Sequence, residues 1–417
     1  MHLLAHPVLW YKSLFYGWKL VVTCCVINAM IAGLINQSFG AYFATLAEEN
    51  GWSKTALSGA YTMMPIEGAI LGPVLGWAID RFGTRRMMTA GVLIFGLGFM
   101  LFSQIHTLPQ LYCALLVVSL GSSFCGHFPS NILVIHWFEK TRARALSSVQ
   151  LGMAVGGLLV PLVAWSMHEF GWRWTAFLSG LLVYCVGLPL TRFIVSRPAD
   201  IGEMPDGLPP AQVQAQGSGS GRPVGREFTA MEAIRTRAFW LISLGHGFAL
   251  FSVTAVNVHA ISHIKQHMGY SLAQASFFIT MVIASQVCGV MVGWVIGDRW
   301  EKRYIAAICM FAHMVGLLML AYALNTAMLV AAAVLHGGAW GLRGPFMQAI
   351  RADYFGRREI GMIIGLSAMI IVIGQVGGPM VAGGTADLTG NYQLGLTILA
   401  CLAGVGSVFF FLARRPH

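Results

Sequence analysis

Charged residues are scarce in this chain, and acidic residues are the scarcer of the two signs. Asp, Glu, Lys and Arg make up 10% of the 417 residues, with 16 acidic side chains against 26 basic ones. Hydrophobic residues make up 57%, and the mean hydropathy is +0.70. A water-soluble domain of this length needs a more polar surface, so the composition excludes that class and predicts an integral membrane protein.

Motifs for several catalytic chemistries are also missing. The sequence has no Gly-rich phosphate loop ending in Lys and Ser or Thr, no paired-His zinc motif and no nucleophile elbow. These absences argue against an ATP-driven pump and against a membrane hydrolase. The eight Cys lie in apolar stretches without metal-ligand spacing, which argues against a disulfide framework. We therefore expect no enzyme activity, no cofactor and no bound metal.

Long apolar stretches account for most of the chain. A membrane-spanning helix needs about 20 apolar residues, and this length with short loops accommodates roughly twelve of them. The predicted fold is therefore all-α, with twelve transmembrane helices. The predicted spans are residues 18–42, 53–78, 87–106, 109–136, 145–168, 172–195, 238–262, 271–297, 303–324, 326–350, 359–384 and 392–413.

Basic residues are distributed unequally between the two sides of these spans. All but four of the 26 Lys and Arg lie on one side; Lys54, Arg173 and Lys265 lie on the other, and Arg343 lies within span ten. This positive-inside pattern predicts a multi-pass protein of the cell (inner) membrane with cytoplasmic N- and C-termini. The net charge of +10 thus reflects orientation toward anionic lipid, and we do not expect nucleic-acid binding.

A short basic loop occurs once in each half of the chain. The first copy follows span two and contains Asp80, Arg81 and Arg85, and the second follows span eight and contains Asp298 and Arg299. A membrane protein built of two similar halves is the immediate interpretation. Duplicated bundles of this kind usually alternate access to a site at their interface, which favours transport as the function.

The repeat predicts two pseudo-symmetric six-helix bundles. They comprise residues 1–195 and 238–417, and a polar cytoplasmic linker rich in Pro, Gly and Ser joins them over residues 196–237. Near the end of this linker, Thr229 and Glu232 have the spacing of a capping box, so we expect a short surface helix there.

Small residues follow the fourth and tenth spans at matching positions, among them Gly152 and Gly156 in the first half and Gly374 and Gly378 in the second. Such residues let helix backbones approach closely. They are interpreted either as interfaces where helices rock during transport or as ordinary tight packing.

The first loop resembles the signature loop of the major facilitator superfamily, and the repeat lies where the second half of that family would place it. The residues that carry this resemblance are Gly76, Asp80, Arg81, Gly83, Arg85 and Arg86. Other segments resemble the branch of monocarboxylate porters and oxalate:formate antiporters. These segments are residues 16–18, 137–144, 171–174, 197–207 and 387–392.

The superfamily resemblance implies a central cavity lined mainly by spans 1, 4, 7 and 10, with rocker-switch transport. The repeated loops would then be gates. Asp80 with Arg81 can form charge-assisted bonds across the bundle interface, near the N-terminal end of a neighbouring helix, which favours one conformer. Asp298 with Arg299 can do the same in the second half, and Arg85 belongs to the first gating loop. The alternative is that the arginines only set the membrane topology.

Arg343 requires an explanation because a charge near the bilayer centre costs about 2.5–3.5 kcal/mol on insertion scales. It precedes Arg351 by eight residues, which places it about 12 Å from the cytoplasmic end of its helix. We interpret it as an anion-binding group that faces the aqueous cavity. The alternatives are a structural ion pair and partial snorkelling.

His127 is the counterpart of Arg343 in the repeat, because the His-Phe-Pro that begins at His127 aligns with the Arg-Gly-Pro that begins at Arg343. Pseudo-symmetry would place the two across the cavity from each other. A fixed guanidinium and a titratable imidazole suit a carboxylate and a proton, although His127 could equally serve as a helix-packing donor. Asn131 and Trp340, one turn away, would share these faces.

Glu67 is the carboxylate that lies deep in a predicted span. Burial favours its neutral form, which makes it a candidate proton carrier; otherwise it is the stationary partner of a cation. Polar residues in spans one and seven are weaker candidate ligands, since polar side chains also join helices. They are Asn28, Asn36, Gln37, His246, Asn257 and His259.

One departure from the branch affects the choice of substrate. Its members commonly hold the substrate carboxylate with a cationic residue in span eight, and some add a lysine in span eleven. Residues 271–297 and 360–384 contain no such residue here. Either Arg343 substitutes from span ten, or the substrate is another anion or a neutral compound.

The predicted function is secondary active transport of a small organic anion, first of all a monocarboxylate, coupled to protons. Uniport and anion exchange stay open as modes. The alternatives are efflux of a larger amphipathic compound and a non-transporting membrane sensor. The expected partners are the small-molecule substrate, protons and membrane lipids, and we expect the protein to function as a monomer.

Overall fold

The chain folds into helices. The computed structural model describes residues 15–52, 54–207 and 227–416, and its regular structure over these residues is helical. The helices before residue 207 are α1 (Tyr16–Ile31), α2 (Phe39–Asn50), α3 (Lys54–Phe82), α4 (Thr84–Ser103), α5 (Leu108–Cys125), α6 (His127–Trp137), α7 (Arg142–Gly156), α8 (Val160–Leu182) and α9 (Leu188–Thr191).

The helices after residue 227 are longer and less interrupted. They are α10 (Ala230–Ile234), α11 (Arg237–Met268), α12 (Leu272–Ile296), α13 (Lys302–Ala321), α14 (Thr326–Phe355), α15 (Ile360–Thr389) and α16 (Gln393–Leu412). The short helix α10 is the one expected from the capping-box spacing. Thr229 accepts from the backbone N–H of Glu232, and the Glu232 carboxylate accepts from the N–H of Thr229, so this prediction is confirmed.

The predicted twelve transmembrane helices are present. Ten stretches of the described chain are long and apolar enough to cross a membrane. One of them, Arg142–Thr191, contains two predicted spans that are separated at Gly171, where φ is 78° and ψ is 158°. The remaining span is α14, whose polar residues, Arg343 among them, lower its hydropathy below that of the others. The all-α fold class and the helix count predicted from the sequence are thus confirmed.

The first span is not a regular α-helix. After α1 the chain forms a π-turn over Ala32–Asn36, and α2 begins at Phe39. The hydroxyl of Ser38 donates to the carbonyl of Gly33 at 2.5 Å, which satisfies an acceptor released by the irregular turn. Such π-turns are frequent at functional positions because they shift the side chains that follow.

The chain divides into two compact units, which are described separately. The N-terminal unit contains the described residues up to 68 and from 81 to 207, and the C-terminal unit contains residues 69–80 and 227–416. In the N-terminal unit α1 packs on α7, and α4 packs on α5 and α8. In the C-terminal unit α11 packs on α15, and α14 packs on α12 and α13. Part of α3 thus belongs to the unit formed by the second half.

Small residues allow the closest helix contacts within each unit. In the N-terminal unit a Cβ on Gly152 would lie 2.6 Å from the Cα of Cys25, so α7 can approach α1 closely only with glycine there. In the C-terminal unit a Cβ on Gly374 would overlap the backbone of Gly247 on α11. The glycines singled out in the sequence therefore provide tight packing inside each unit.

Two acidic residues of the predicted linker, one on each side of its undescribed part, each bind to a loop of their own unit. In the N-terminal unit the Asp206 carboxylate accepts from the backbone N–H of Glu139 and Lys140, at 3.0 and 2.8 Å. In the C-terminal unit the Glu227 carboxylate accepts from the N–H of Arg357 and Arg358, both at 2.7 Å. Residues 208–226 of the predicted linker lie outside the described residues.

Candidate substrate and proton sites

Arg343 is buried within the C-terminal unit, near the middle of α14, and is 1% exposed. Two atoms of its guanidinium group, Nε and Nη1, have no hydrogen-bond partner among the described residues. Its charge acts on Cys309 and His313 of α13 and on His336 of its own helix. Within the described residues Arg343 forms no ion pair, so the structural ion pair considered from the sequence is not found there.

A pair of histidines lies in the same unit, formed by His313 of α13 and by His336, which is two turns before Arg343 on α14. The Nδ1 atoms of His313 and His336 are 3.1 Å apart, and the ring centroids are 4.6 Å apart at an angle of 70°. Both side chains are buried, and neither Nε2 atom has a hydrogen-bond partner among the described residues. Gly316, about one turn after His313, allows close packing of α13 on α14, since a Cβ there would lie 3.2 Å from the carbonyl oxygen of Ala332 and 3.3 Å from the backbone nitrogen of His336.

This pair was not among the candidates predicted from the sequence. His313 lies on span nine and His336 on span ten, and neither residue belongs to a motif or to the repeat. The one signal was their polarity within strongly apolar stretches, because a polar group in a membrane helix needs a partner or a function.

A second arginine of α14 is equally buried but fully engaged. Arg351 donates from Nη1 to the carbonyl of Met347 at 2.7 Å and from Nη2 to the hydroxyl of Ser367 at 2.8 Å. Its Nη2 also lies 3.3 Å from Nδ1 of His246 on α11. Arg351 therefore has structural hydrogen bonds between three helices, whereas Arg343 has free donors.

The other candidates of the C-terminal unit are spread over α11 and α14. Trp340, about one turn before Arg343, is half-buried and packs on an apolar cluster of this unit. Asn257 is exposed on α11. His259, two residues further on, is engaged, since its Nε2 lies 3.0 Å from the carbonyl of Pro379.

In the N-terminal unit His127 is the first residue of α6, directly after the helix break at Gly126. It is half-buried, and its Nδ1 has no hydrogen-bond partner among the described residues. Asn131 follows one turn later and is 2% exposed. Asn36 is exposed at the end of the π-turn of the first span. The predicted position of His127 opposite Arg343 across a cavity stays a prediction.

Asn28 has a structural partner in this unit. Its amide nitrogen donates to the carbonyl of Cys24 at 2.8 Å and to the hydroxyl of Ser130 at 2.9 Å. The second bond joins α1 to α6. Asn28 therefore serves helix packing, the alternative that was weighed for the polar residues of the first span.

Glu67 contacts a hydroxyl group within the N-terminal unit. Its Oε2 is hydrogen-bonded to Oγ of Ser119 on α5, and Oε1 has no partner among the described residues. Oγ of Ser119 also lies 3.2 Å from the carbonyl of Met64. A neutral Glu67 can donate to Ser119, which then donates to Met64, while an ionised Glu67 accepts from Ser119. Both protonation states thus find a partner.

Asp80 caps a helix within the C-terminal unit. Its carboxylate accepts from the backbone N–H of Gly361 at 3.3 Å and from that of Met362 at 3.1 Å, at the start of α15. A carboxylate in this position compensates unpaired N–H groups and the positive end of the helix dipole. The contact requires close backbones, because a Cβ on Gly76 would overlap the carbonyl of Gly361.

The repeated loop has different contacts. Asp298 forms an ion pair with Lys302 at 3.1 Å, and Lys302 also pairs with Asp353 at 2.7 Å. The lysine is thus shared between two carboxylates within the C-terminal unit. The side chains of the loop arginines are exposed; these residues are Arg81, Arg85 and Arg299.

No group of three or more His, Cys, Asp or Glu that could hold a metal ion occurs within residues 15–52, 54–207 and 227–416. The candidate sites contain guanidinium, imidazole, carboxyl and amide groups. These groups can bind an anion and exchange protons.

Comparison with known proteins places this helical architecture in a family. The sequence matches the family model described as Major Facilitator Superfamily over residues 25–323 and 242–417. It is 23% identical over 420 residues to "Monocarboxylate transporter 4" of Gallus gallus, which covers 96% of this chain and 84% of that protein. It is 24% identical over 414 residues to "Monocarboxylate transporter 13" of Bos taurus, which covers 96% of this chain and 90% of that protein.

Solved structures agree with the family match at the level of the fold. The human organic anion transporter MFSD10 (TETRAN) superposes with a TM-score of 0.73 at 14% identity, over 94% of this chain and 99% of that chain. The repeated loop and the twelve membrane helices are thus accounted for by one fold. The chain belongs to the major facilitator superfamily and is a multi-pass membrane transporter of small molecules, not an enzyme.

Proposed function

We propose that this protein is a secondary active transporter that moves a small organic anion, first of all a monocarboxylate, together with a proton. The observation that carries the proposal is Arg343, a buried guanidinium group in a membrane helix with donors that no described residue accepts. Relatives described as monocarboxylate transporters support an anionic substrate.

Arg343 suits a carboxylate for a physical reason. The guanidinium group is planar, keeps its charge and offers a fork of donors that matches the two carboxylate oxygens. A buried charge without a partner is costly, and an anion that binds to it would reduce that cost. In this proposal Trp340 and Asn257 contribute to substrate binding in the C-terminal unit, and His127, Asn131 and Asn36 contribute in the N-terminal unit.

Coupling to a proton is proposed because it balances the charge of the substrate. A monoanion carried with one proton moves no net charge, so the membrane potential does not oppose its uptake. Glu67 and His127 are the candidates for handling that proton in the N-terminal unit. The contact with Ser119 supports Glu67 in this role, because the carboxyl group keeps a hydrogen bond whether it is neutral or ionised.

The gate in this proposal is the cap that Asp80 forms on α15. Alternating access requires contacts that favour one conformer and can be broken. Two hydrogen bonds from backbone N–H groups to the Asp80 carboxylate meet this requirement. They are charge-assisted and therefore strong, and only the first turn of α15 has to move for them to break. We further propose that the protein works as a monomer in the cell (inner) membrane, with both termini cytoplasmic, as the distribution of basic residues supports.

The test is a proton flux measurement in proteoliposomes that enclose a pH-sensitive dye. We expect that formate, acetate, lactate or pyruvate, added outside, acidifies the lumen faster with the wild type than with empty liposomes. Arg343→Gln should reduce this flux about 100-fold or more, because the neutral amide removes the charge that attracts the anion. Arg343→Lys, the matched control, keeps the charge and loses the fork, and should retain part of the flux.

Two results would contradict the proposal. If no acid of this panel acidifies the lumen while the reconstituted wild type effluxes a larger amphipathic compound, the transporter is an exporter of that class. If Arg343→Gln transports acids at the wild-type rate, Arg343 has a structural role and the anion binds elsewhere.

A further inference from the structure

We propose that His313 and His336 together form a proton-binding site whose occupancy is coupled to anion binding at Arg343. This inference rests on the proposed function and names the groups that carry its proton. It assigns that role to an imidazole pair in the C-terminal unit, outside the repeated motifs and outside the candidates found in the sequence.

The hydrogen bond within the pair fixes how many protons it holds. Because the two Nδ1 atoms are 3.1 Å apart, one of them must carry a hydrogen and the other must accept it. In the neutral pair the imidazole that donates from Nδ1 has a bare Nε2. Both Nε2 atoms are buried without partners among the described residues, so that bare nitrogen can take up one further proton.

Protonation strengthens the pair rather than breaking it. The added proton binds Nε2 of the donating imidazole, which becomes an imidazolium and still donates from Nδ1 to the other ring. This bond is then charge-assisted and therefore stronger than the neutral one. The neighbouring neutral imidazole thus stabilises the charged form at a position where burial alone would oppose it.

Arg343 is the charge that controls this equilibrium. It follows His336 by seven residues, which is two turns along the same face of α14, and a buried guanidinium group there opposes the formation of an imidazolium. An anion bound to Arg343 cancels that repulsion, so anion binding promotes protonation, and protonation promotes anion binding by the same factor. The two ligands therefore bind together, as a symporter requires.

Few other ionisable groups influence the pair. Cys309 is the other titratable group of α13 that interacts with Arg343. Helices α12 and α16 contain no Asp, Glu, Lys, Arg or His, and α15 contains one such residue, Asp387, near its C-terminal end.

The histidines of α11 that lie near α13 and α14 have other partners. His263 bonds through Nε2 to the carbonyl of Leu320 at 2.9 Å, and His246 contacts Arg351. Arg351 also interacts electrostatically with Arg343, but its donors are bonded to the carbonyl of Met347 and the hydroxyl of Ser367. The coupling thus involves mainly the two imidazoles and Arg343.

The experiment compares coupled uptake with exchange for His313→Gln/His336→Gln. Glutamine keeps a polar side chain that can form a hydrogen bond between α13 and α14, but its amide is not protonated at any pH used for transport. With the acid that the wild type carries fastest, we expect the double variant to lose about tenfold or more of its pH-driven accumulation, in line with typical coupling factors. Its exchange of labelled for unlabelled acid should persist and become independent of pH. His263→Gln, a matched change of a buried histidine in the same unit, should keep the coupling.

The outcomes separate this inference from the proposed function. If the wild type carries acid with protons and the double variant does so equally, the transport function stands and the histidine pair is overturned as its proton site. If the wild type carries none of the acids, the proposed function itself fails.

A binding measurement tests the pair without transport, and it also serves if the double variant does not fold. Purified wild type in weakly buffered detergent should take up protons when formate is added, detected with an indicator dye. The single variants His313→Gln and His336→Gln should each reduce that uptake at least severalfold, and Arg343→Gln should remove it. Undiminished uptake in both single variants would refute the inference.

Discussion

The two compact units have the same kind of helical scaffold but place different ionisable groups inside it. The N-terminal unit contains a half-buried carboxyl group, Glu67, which is hydrogen-bonded to the hydroxyl of Ser119. The C-terminal unit buries the guanidinium group of Arg343 beside the pair of His313 and His336. Duplication of a membrane bundle preserves the apolar packing that every half needs, while the polar positions inside it are free to acquire separate chemistry.

This difference indicates a division of labour. Coupling between an anion and a proton requires that the cation and the proton site influence each other, which the C-terminal unit provides within a few neighbouring side chains. The carboxyl group of Glu67 has a hydrogen bond in either protonation state, so it suits transient exchange of a proton. We therefore expect the two sites to respond differently to loss of their titratable groups.

The repeated loops show the same divergence at smaller scale. Asp80 caps the first turn of α15 with two backbone hydrogen bonds, whereas Asp298 shares Lys302 with Asp353. Equivalent carboxylates thus serve a helix end in one copy and an ion-pair network in the other. Their mutations distinguish a gate from a local support.

The largest effect among these comparisons is expected for Asp80→Asn. The amide loses the charge that favours the two backbone donors, and hydrogen bonds to charged groups contribute about 1.5–3 kcal/mol, so we expect transport to fall about tenfold or more. Asp298→Asn should have a smaller effect, because Lys302 keeps its bond to Asp353. Initial rates of acid uptake at equal amounts of reconstituted protein check both variants. Equal losses in the two would contradict the distinction between the loops.

A moderate effect is expected for Glu67→Gln. Ser119 can still bond to the amide, so folding should be preserved, and loss of a proton relay should slow uptake about threefold. The ratio of protons to acid molecules should stay that of the wild type, measured by parallel dye and isotope uptake. A variant that carries acid without protons would move the coupled proton site to the N-terminal unit and overturn our assignment of the histidine pair.

The smallest effects concern the two ends of the linker. Asp206→Ala removes a carboxylate that accepts from three backbone N–H groups and from the hydroxyl of Thr141. Glu227→Ala removes one that accepts from two backbone N–H groups at the corresponding loop of the other unit. We expect each change to lower the stability of its own unit by about 1–2 kcal/mol, as for loss of a helix cap. Thermal unfolding of the purified variants in detergent checks this. Similar shifts would support equivalent roles, and a shift in only one variant would show that one linker end is dispensable.

Much of the fold was predictable because the bilayer restricts what a chain can do. Backbone groups in lipid must be paired within the helix, so apolar length alone located the spans. Boundaries were less predictable where the helix is irregular. The π-helical turn at Ala32–Asn36 was not predicted, whereas the break at Gly171 lies between the predicted spans 145–168 and 172–195. Span ten was also assigned from its apolar length, although it contains Arg343.

Less of the candidate site was predictable. Arg343 and Glu67 stood out because an ionisable residue in a membrane helix is costly and therefore rare. The pairing of His313 with His336 could not be anticipated, since the two residues lie on different helices and meet where Gly316 lets the backbones approach. The contact of Glu67 with Ser119 could not be predicted either, because the two residues lie on different helices and sequence spacing carries no information about contacts between helices.

The sequence by itself determined that this protein is helical, crosses the membrane about twelve times, is built from two similar halves and belongs with transporters. These properties follow from hydropathy, charge asymmetry and repetition, which are sums over many residues. Only the tertiary structure decided which polar groups meet: Asp80 with the start of α15, Glu67 with Ser119, and the imidazole pair beside Arg343. Such contacts depend on the rotation and close approach of individual helices, and a single glycine at a crossing point can decide them.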